Sequence, residues 1–145
     1  MRVYVVDASV AARFLLVEEL SEKAELLLQK FHEDTIELKA PGIVNYEVGN
    51  ALWKAARQKV IDAHEASRKF SQFIKLKLDC VELDEQESLV ALTWAMENDV
   101  TFYDSVYVKA SEKMGATLLT ADDAFYEKAS KEVPTVHLRD LKDFR

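Results

Sequence analysis

The chain has 145 residues, of which 49% are hydrophobic and 31% charged. This composition excludes a disordered protein and supplies one packed core, so we expect a single domain over residues 1–145. Acidic residues outnumber basic ones 26 to 19, for a net charge of −7, which argues against nucleic-acid binding through overall charge alone. Three glycines and two prolines are too few for the many tight turns of an all-β sandwich or barrel.

The cysteine content and the N-terminal sequence indicate the cellular compartment in which we expect the protein. A single cysteine, Cys80, excludes an internal disulfide framework and a structural zinc site built from several thiolates. The apolar N-terminal run is interrupted by Asp7 and Arg13, so it forms neither a signal-peptide core nor a membrane span. We therefore expect a cytoplasmic protein with no membrane partner.

Five short apolar segments predict β-strands. The first, residues 3–6, is apolar without alternation, which is typical of a strand covered on both faces of a parallel sheet. The other four are residues 36–40, 80–83, 116–119 and 135–138. Helical patterns separate these segments, so we predict an α/β fold with a central parallel sheet of about five strands flanked by helices.

The predicted helices have recognisable ends. Ser21 is a candidate N-cap for a helix that ends near residue 31. Apolar residues at helical spacing from Val44 onward predict an amphipathic helix that carries Glu47. A later helix is expected over residues 103–114, with Gly115 as its stop. Two more helices are predicted to open with an aspartate and a glutamate three residues later, Asp62 with Glu65 and Asp84 with Glu87.

Four acids are expected to meet at one edge of this sheet. Asp7 ends the first strand and Asp122 follows the fourth, and the carboxyl ends of parallel strands face a common crevice. Glu47 borders the apolar stripe of its helix and Asp104 begins another helix, so both are candidates for the same crevice. Carboxylates this close repel one another unless a cation neutralises them, and an oxygen-only ligand set favours Mg²⁺ or Mn²⁺ over zinc.

A divalent ion held in this way binds phosphate oxygens and activates water, so the acids suggest phosphodiester hydrolysis. A phosphatase that forms an aspartyl phosphate is disfavoured, because Ser9 stands where a second aspartate is needed. A receiver domain is disfavoured because residues 118–123 contain no lysine. The alternative from another class is a catalytically silent module whose acids hold a metal or a partner without turnover.

Four motifs resemble those of the PIN-domain family and, more narrowly, of VapC-type toxins. They are VVDASV at residues 5–10, NYEVGNAL at 45–52, YDSVYVKA at 103–110 and LTAD at 119–122. The resemblance extends from Val3 to about Val136, and its specificity lies in the order and spacing of the motifs. It implies a three-layer PIN-like fold and a metal-dependent endoribonuclease that acts on RNA, using Mg²⁺ or Mn²⁺.

The resemblance also implies particular residues and partners. The positions that match the metal-binding acids are Asp7, Glu47, Asp104 and Asp122. A VapB-like antitoxin that blocks the site and a homodimer are the implied protein partners. Asp123 is the alternative fourth ligand, although we favour Asp122 because it follows Thr120 by two residues. Ser9, Thr120 and Asp123 are candidates to orient the ligands through hydrogen bonds.

Each candidate has an ordinary structural interpretation as well. The aspartates could only cap helices, and Glu47 could be a solvated charge at the margin of a helix stripe. Residues 53–78 contain seven lysines and arginines against two acids, a basic segment that is either solvated helix surface or an RNA contact. The large aromatic residues at helical spacing are expected in the core or in dimer contacts: Trp53, Phe70, Phe73 and Trp94.

Overall fold

A computed structural model describes residues 1–142. Within these residues the strands are β1 (Arg2–Val6), β2 (Ile36–Pro41), β3 (Asp79–Val81), β4 (Thr117–Thr120) and β5 (Thr135–His137). They form one sheet in the order β3-β2-β1-β4-β5, and every neighbouring pair is parallel. The predicted parallel sheet of about five strands is thereby confirmed.

Helices connect these strands along the described part of the chain. They are α1 (Ala8–Ala12), α2 (Ser21–His32), α3 (Ile43–Arg57), α4 (Ala63–Lys75), α5 (Glu85–Asn98), α6 (Phe102–Met114) and α7 (Asp123–Ala129). A 3₁₀ turn over Leu138–Asp140 follows β5. Among residues 1–142, none of the helices combines the length and the apolar character that crossing a bilayer requires.

The two central strands are buried on both faces. Val5 and Val6 in β1 and Leu118 and Leu119 in β4 are all fully inaccessible to solvent. Because successive side chains of a strand point to opposite faces, burial of consecutive residues requires helices on both sides of the sheet. The fold therefore has three layers, with the core on either side of β1 and β4.

The strand order reverses between β1 and β4, and this reversal positions the site. Val6 pairs with Leu119, and the backbone N–H of Asp7 donates to the carbonyl of Leu119 over 3.2 Å. The chain leaves β1 and β4 in opposite lateral directions, which opens a crevice at their carboxyl ends. Asp7 and the residues that follow β4 therefore lie next to each other.

Helix ends follow their local sequence at several places. Asp62 caps α4 through the backbone N–H of Glu65, and Asp84 and Glu87 form a reciprocal capping box on α5, both as predicted. Gly115 ends α6 with a φ of 58°, a left-handed conformation that glycine adopts without a Cβ clash. These caps fix where α4 and α5 begin and where α6 ends.

Other local expectations are wrong in detail. Ser21 is the first residue of α2 and does not cap it, because its hydroxyl accepts from the N–H of Glu18 and donates to the carbonyl of Leu16. β3 ends at Val81, two residues earlier than expected. The four large aromatic residues were expected in the core or in dimer contacts: Phe73 and Trp94 are buried in the core, and Trp53, 54% exposed, is left to the second expectation, which stays a prediction.

Candidate active site

Asp7 is a helix cap and a buried carboxylate at once. Its side chain accepts from the backbone N–H of Val10 over 3.1 Å, which makes it the N-cap of α1. The same oxygen accepts from Ser9 Oγ over 2.6 Å, and the other oxygen accepts from the hydroxyl of Thr120. Only 5% of Asp7 is exposed, so these bonds hold a buried acid in a single orientation.

Ser9 and Thr120 tie together the two loops that leave β1 and β4. Ser9 Oγ accepts from the backbone N–H of Ala121 over 2.8 Å, and Thr120 Oγ1 accepts from that of Asp122 over 3.1 Å. Each hydroxyl therefore donates to Asp7 while it accepts from the chain just after β4. The structure thus places both residues beside Asp7, where the sequence analysis expected hydroxyls that orient a ligand.

Glu47 and Asp104 reach the same region from two helices. Glu47 lies in the second turn of α3, where its Oε1 accepts from the hydroxyl of Tyr107 over 2.7 Å. Asp104 lies in the first turn of α6, but the cap of that helix is Thr101, whose hydroxyl accepts from the N–H of Asp104. The carboxylate of Asp104 is therefore not needed to cap its helix.

All four predicted acids line one cavity of about 130 Å³. Its walls also include Ala8, Ser9, Tyr107 and Phe125. The acids come from four separate parts of the chain: the ends of β1 and β4, and the helices α3 and α6. Asp122 caps α7 through the N–H of Phe125, over 2.8 Å, and still borders the cavity.

The cavity is electrostatically unfavourable for its own acids. Burial raises the pKa of Asp7 to about 6, against hydrogen bonds from Ser9, Thr120 and Val10 that lower it, and the charge of Asp122 raises it further. Burial also raises the pKa of Asp104 to about 6, and the charges of the other three acids add to this effect. The four carboxylates therefore repel one another in a partly desolvated space, an arrangement that a cation would relieve.

Asp123 lies apart from this group. Its Oδ1 accepts from Arg139 Nη1 over 2.9 Å and is 2.8 Å from Nε2 of His137. The Asp123 side chain is 81% exposed and is not among the residues that line the cavity. The structure thus places Asp122 with the other acids, whereas its neighbour Asp123 points toward the end of β5 and the 3₁₀ turn that follows.

The donor set suits a hard divalent cation, but the side chains do not form a closed cage. Carboxylate and hydroxyl oxygens face the cavity, and such oxygens are the ligands that Mg²⁺ and Mn²⁺ prefer. Over residues 1–142, no three His, Cys, Asp or Glu side chains converge closely enough to hold an ion together. Because Mg²⁺ usually keeps several of its waters, a hydrated ion in contact with one or two carboxylates fits these residues.

Tyr107 is the residue of this site that the sequence analysis did not single out. It is 1% exposed, and its hydroxyl is the hydrogen-bond partner of Glu47. Burial and then this hydrogen bond raise the pKa of Tyr107 far above its ordinary value, so the phenol is a neutral donor. The available signal was spacing, because Tyr107 follows Asp104 by three residues and so shares its helix face.

A three-layer α/β fold with an acidic cavity at the reversal of strand order defines a class of α/β proteins whose site lies in the crevice at the carboxyl ends of the strands. Residues 4–131 match the PIN domain family, which covers most of the chain. The chain is 35% identical over 127 residues to ribonuclease VapC3 from Pyrobaculum aerophilum, covering 86% of this chain and 92% of that protein. This chain belongs to the PIN-domain family and resembles its VapC-type members.

Solved structures agree with this assignment. The crystal structure of PAE2754 from Pyrobaculum aerophilum superposes with a TM-score of 0.70 at 26% identity, covering 95% of this chain and 92% of that one. VapBC2 from Rickettsia felis, solved bound to a DNA fragment from its promoter, gives a TM-score of 0.68 at 11% identity, covering 93% and 98%. The second similarity extends to the fold alone. Together they confirm the three-layer PIN-like architecture.

Proposed function

We propose that this chain, acting as one domain over residues 1–145, is a divalent-metal-dependent endoribonuclease that hydrolyses RNA phosphodiester bonds. The observation that carries the proposal is the meeting of four acids from distant parts of the chain in one cavity at the carboxyl ends of β1 and β4. The similarity to a protein named as a ribonuclease supports the choice of RNA as substrate.

The residues that would hold Mg²⁺ or Mn²⁺, directly or through water, are Asp7, Glu47, Asp104 and Asp122. When bound, such an ion neutralises the carboxylates, favours ionisation of a water molecule and stabilises the negative charge that develops on the phosphate. The positive charge also explains how a protein with a net charge of −7 can accept a polyanion. Asp123 is left outside this set by its contacts with Arg139 and His137.

The hydroxyl groups around the acids have a positioning role in this proposal. Ser9 and Thr120 donate to the two oxygens of Asp7 and so fix the plane of its carboxylate. Tyr107 donates to one oxygen of Glu47 and leaves the other available. Hydrogen bonds of this kind reduce the freedom that a ligand loses when it binds an ion.

Tyr107→Phe is expected to weaken Mn²⁺ binding by about tenfold, because partners that orient a metal ligand typically contribute 10–100-fold in affinity. The phenyl ring keeps the packing of this buried position, so the fold should be retained. Calorimetric titration of the metal-free protein with Mn²⁺ measures this change in affinity. The matched control is Tyr126→Phe, which lies outside the cavity; equal Mn²⁺ affinities for the two variants would contradict the role of Tyr107.

The protein partners are also part of the proposal. VapBC2 from Rickettsia felis was solved bound to a DNA fragment from its promoter, and by analogy we assign this chain as the toxin of a toxin–antitoxin pair. A VapB-like antitoxin would then block the acidic cavity, and the toxin itself would form a homodimer. Co-purification of the chain with the product of an adjacent reading frame, and loss of nuclease activity in that complex, are the expected observations.

The alternative is a PIN-like module whose acids bind a metal or a partner without turnover. Incubation of the purified chain with a mixed RNA pool separates the two: we expect digestion with Mn²⁺ and none with EDTA. Asp104→Asn serves as the control for contaminating nuclease, since it removes one acid of the cavity. Digestion by both proteins, or by neither, would refute the enzymatic proposal.

A further inference from the structure

Three side chains form a polar cluster directly beyond Asp122. They are Asp123 at the start of α7, His137 at the end of β5 and Arg139 in the 3₁₀ turn, and we call them the Asp123 cluster. Arg139 Nη1 donates to Asp123 Oδ1 over 2.9 Å, and His137 Nε2 lies 2.8 Å from the same oxygen. One carboxylate oxygen therefore joins the start of α7 to the end of β5 and the turn that follows it.

His137 is buried and has a fixed orientation. It is 2% exposed, and its Nδ1 accepts from the backbone N–H of Arg139 over 3.1 Å. In a neutral imidazole the proton is then on Nε2, the nitrogen that lies beside Asp123. Within residues 1–142, Nε2 has no aligned hydrogen-bond partner, so its interaction with the Asp123 carboxylate is electrostatic.

The helix that carries Asp123 is short and also sets the position of Asp122. α7 has seven residues, and a helix of this length depends on contacts with the rest of the protein for its stability. Phe125 and Ala129 supply part of this support, because both are buried. The Asp123 cluster supplies contacts at the N-terminal end of the helix, next to Asp122.

Asp122 is held differently from two other acids of the cavity. Asp7 accepts from two side-chain hydroxyls, and Glu47 accepts from that of Tyr107. The Asp122 carboxylate accepts instead from the backbone N–H of Phe125, over 2.8 Å. Its direction therefore depends on where the first turn of α7 lies.

The sheet connects the Asp123 cluster to the residues around Asp7. His137 pairs with Thr120 in the parallel register of β4 and β5. Thr120 donates to Asp7, and its Oγ1 accepts from the backbone N–H of Asp122 over 3.1 Å. The contacts therefore form a closed ring that runs from Thr120 through α7 and the Asp123 cluster back to Thr120.

We propose that the Asp123 cluster positions the Asp122 carboxylate, so that the end of β5 and the 3₁₀ turn contribute to the metal affinity of the acidic cavity. The inference rests on the proposed function, because it takes Asp122 as a ligand of the ion. Asp123, His137 and Arg139 are not among the residues that line the cavity, so they act through α7 and are positioning residues. Contacts that orient a metal ligand raise metal affinity because less freedom is lost on binding.

Calorimetric titration of the metal-free full chain with Mn²⁺ tests the proposal in a double-mutant cycle. Asp123→Ala and Arg139→Met are each expected to raise the Kd about fivefold, and the double variant no further, because both substitutions remove the same contact. Arg139→Lys keeps a cation at this position and should recover most of the affinity. The side chains of Asp123 and Arg139 are 81% and 48% exposed, so these variants should fold.

Two controls separate positioning from a general loss of stability. Asp140→Ala removes another acid near Arg139, 3.7 Å from its Nε, that lies on the 3₁₀ turn and not on α7. Lys39→Met removes an ion pair between β2 and β3, in which Lys39 Nζ is 2.9 Å from Asp79 Oδ2. Both controls should keep the parent Kd for Mn²⁺, while thermal unfolding in EDTA reports any change in stability.

RNA cleavage at two Mn²⁺ concentrations gives a readout that a purely structural role would not change. Near the parent Kd, Asp123→Ala and Arg139→Met should cleave more slowly than the parent, because less of the protein holds the ion. At saturating Mn²⁺ they should cleave as fast as the parent, since the four acids are all retained.

Several results would overturn the inference. These are single variants that bind Mn²⁺ as tightly as the parent, effects that simply add in the double variant, and equal weakening by Asp140→Ala or Lys39→Met. Cleavage that stays slow at saturating Mn²⁺ would likewise exclude a role limited to metal affinity. Failure of the proposed function has a different signature, because the parent chain itself would then bind no Mn²⁺.

Discussion

Replacing Asp7 by asparagine is expected to lower Mn²⁺-stimulated RNA cleavage at least a hundredfold and to make the metal-free protein more stable above pH 6. The loss of activity follows from the loss of a charged ligand, since even the partners that orient ligands contribute 10–100-fold. The gain in stability follows from burial, because Asp7 is 5% exposed and its pKa is raised to about 6. Above that pH the native protein carries a buried negative charge that asparagine removes.

The hydrogen bonds of Asp7 are compatible with this substitution. An asparagine oxygen can accept from Ser9 and from the N–H of Val10, and its NH₂ group can donate to the hydroxyl of Thr120. A pKa raised from 3.8 to about 6 corresponds to at most about 3 kcal/mol, so the melting temperature should rise by several degrees.

Cleavage assays and thermal unfolding in EDTA measure the two effects on the same preparation. Glu97→Gln, an exposed acid on α5, is the matched control and should change neither quantity. Retained cleavage by Asp7→Asn would refute the assignment of Asp7. A clearly lower melting temperature would show that the charge at this position is needed for folding, contrary to the prediction.

The second large effect is a weakening by Mn²⁺ of the pH dependence of stability. The metal-free protein should lose stability as the pH rises from about 4 to about 6. In this window the unfolded chain releases protons from Asp7 and Asp104 near their ordinary pKa, while the native protein retains them until about pH 6. An ion that binds the ionised acids of the native state opposes this loss and stabilises by about 2.7 kcal/mol at one hundred times its Kd.

Denaturant unfolding at pH 4, 5, 6, 7 and 8, with EDTA or with Mn²⁺, measures the free energy of unfolding in each case. The double variant Asp7→Asn, Asp104→Asn should show a smaller fall between pH 4 and pH 6 than the parent, because the two acids are gone. It should also show little stabilisation by Mn²⁺ at pH 8. Equal stabilisation of the parent and the double variant would place the ion elsewhere.

Local sequence patterns were enough to predict the strands of the sheet. Unalternating apolar runs such as residues 3–6 have few structural solutions other than a strand covered on both faces, and the buried Val5 and Val6 bear this out. Paired caps such as Asp84 with Glu87 predict helix starts because the bonds that they make are local. The prediction that Ser21 caps α2 was wrong because the hydroxyl of Ser21 forms hydrogen bonds with the preceding loop, to Leu16 and from Glu18.

The acids show where such reasoning stops. Glu47 and Asp104 are separated by more than fifty residues, and only a shared crevice in the sheet made their convergence an expectation. Their actual approach required α3 and α6 to present these side chains to the same cavity, which depends on how the helices pack on the sheet. The hydrogen bond from Tyr107 to Glu47 is a contact between those two helices, and no local pattern contains it.

Asp122 and Asp123 show most directly which features follow from the sequence and which depend on the tertiary structure. The sequence by itself determined the fold class and the family, and it predicted a short set of candidate acids, because apolar runs, helix capping and motif spacing are local properties. The direction that each acid takes depended on tertiary contacts: Arg139 and His137 hold Asp123 outside the cavity, while its neighbour borders it. Adjacent residues have nearly the same local sequence, so only the packing of distant segments can distinguish them.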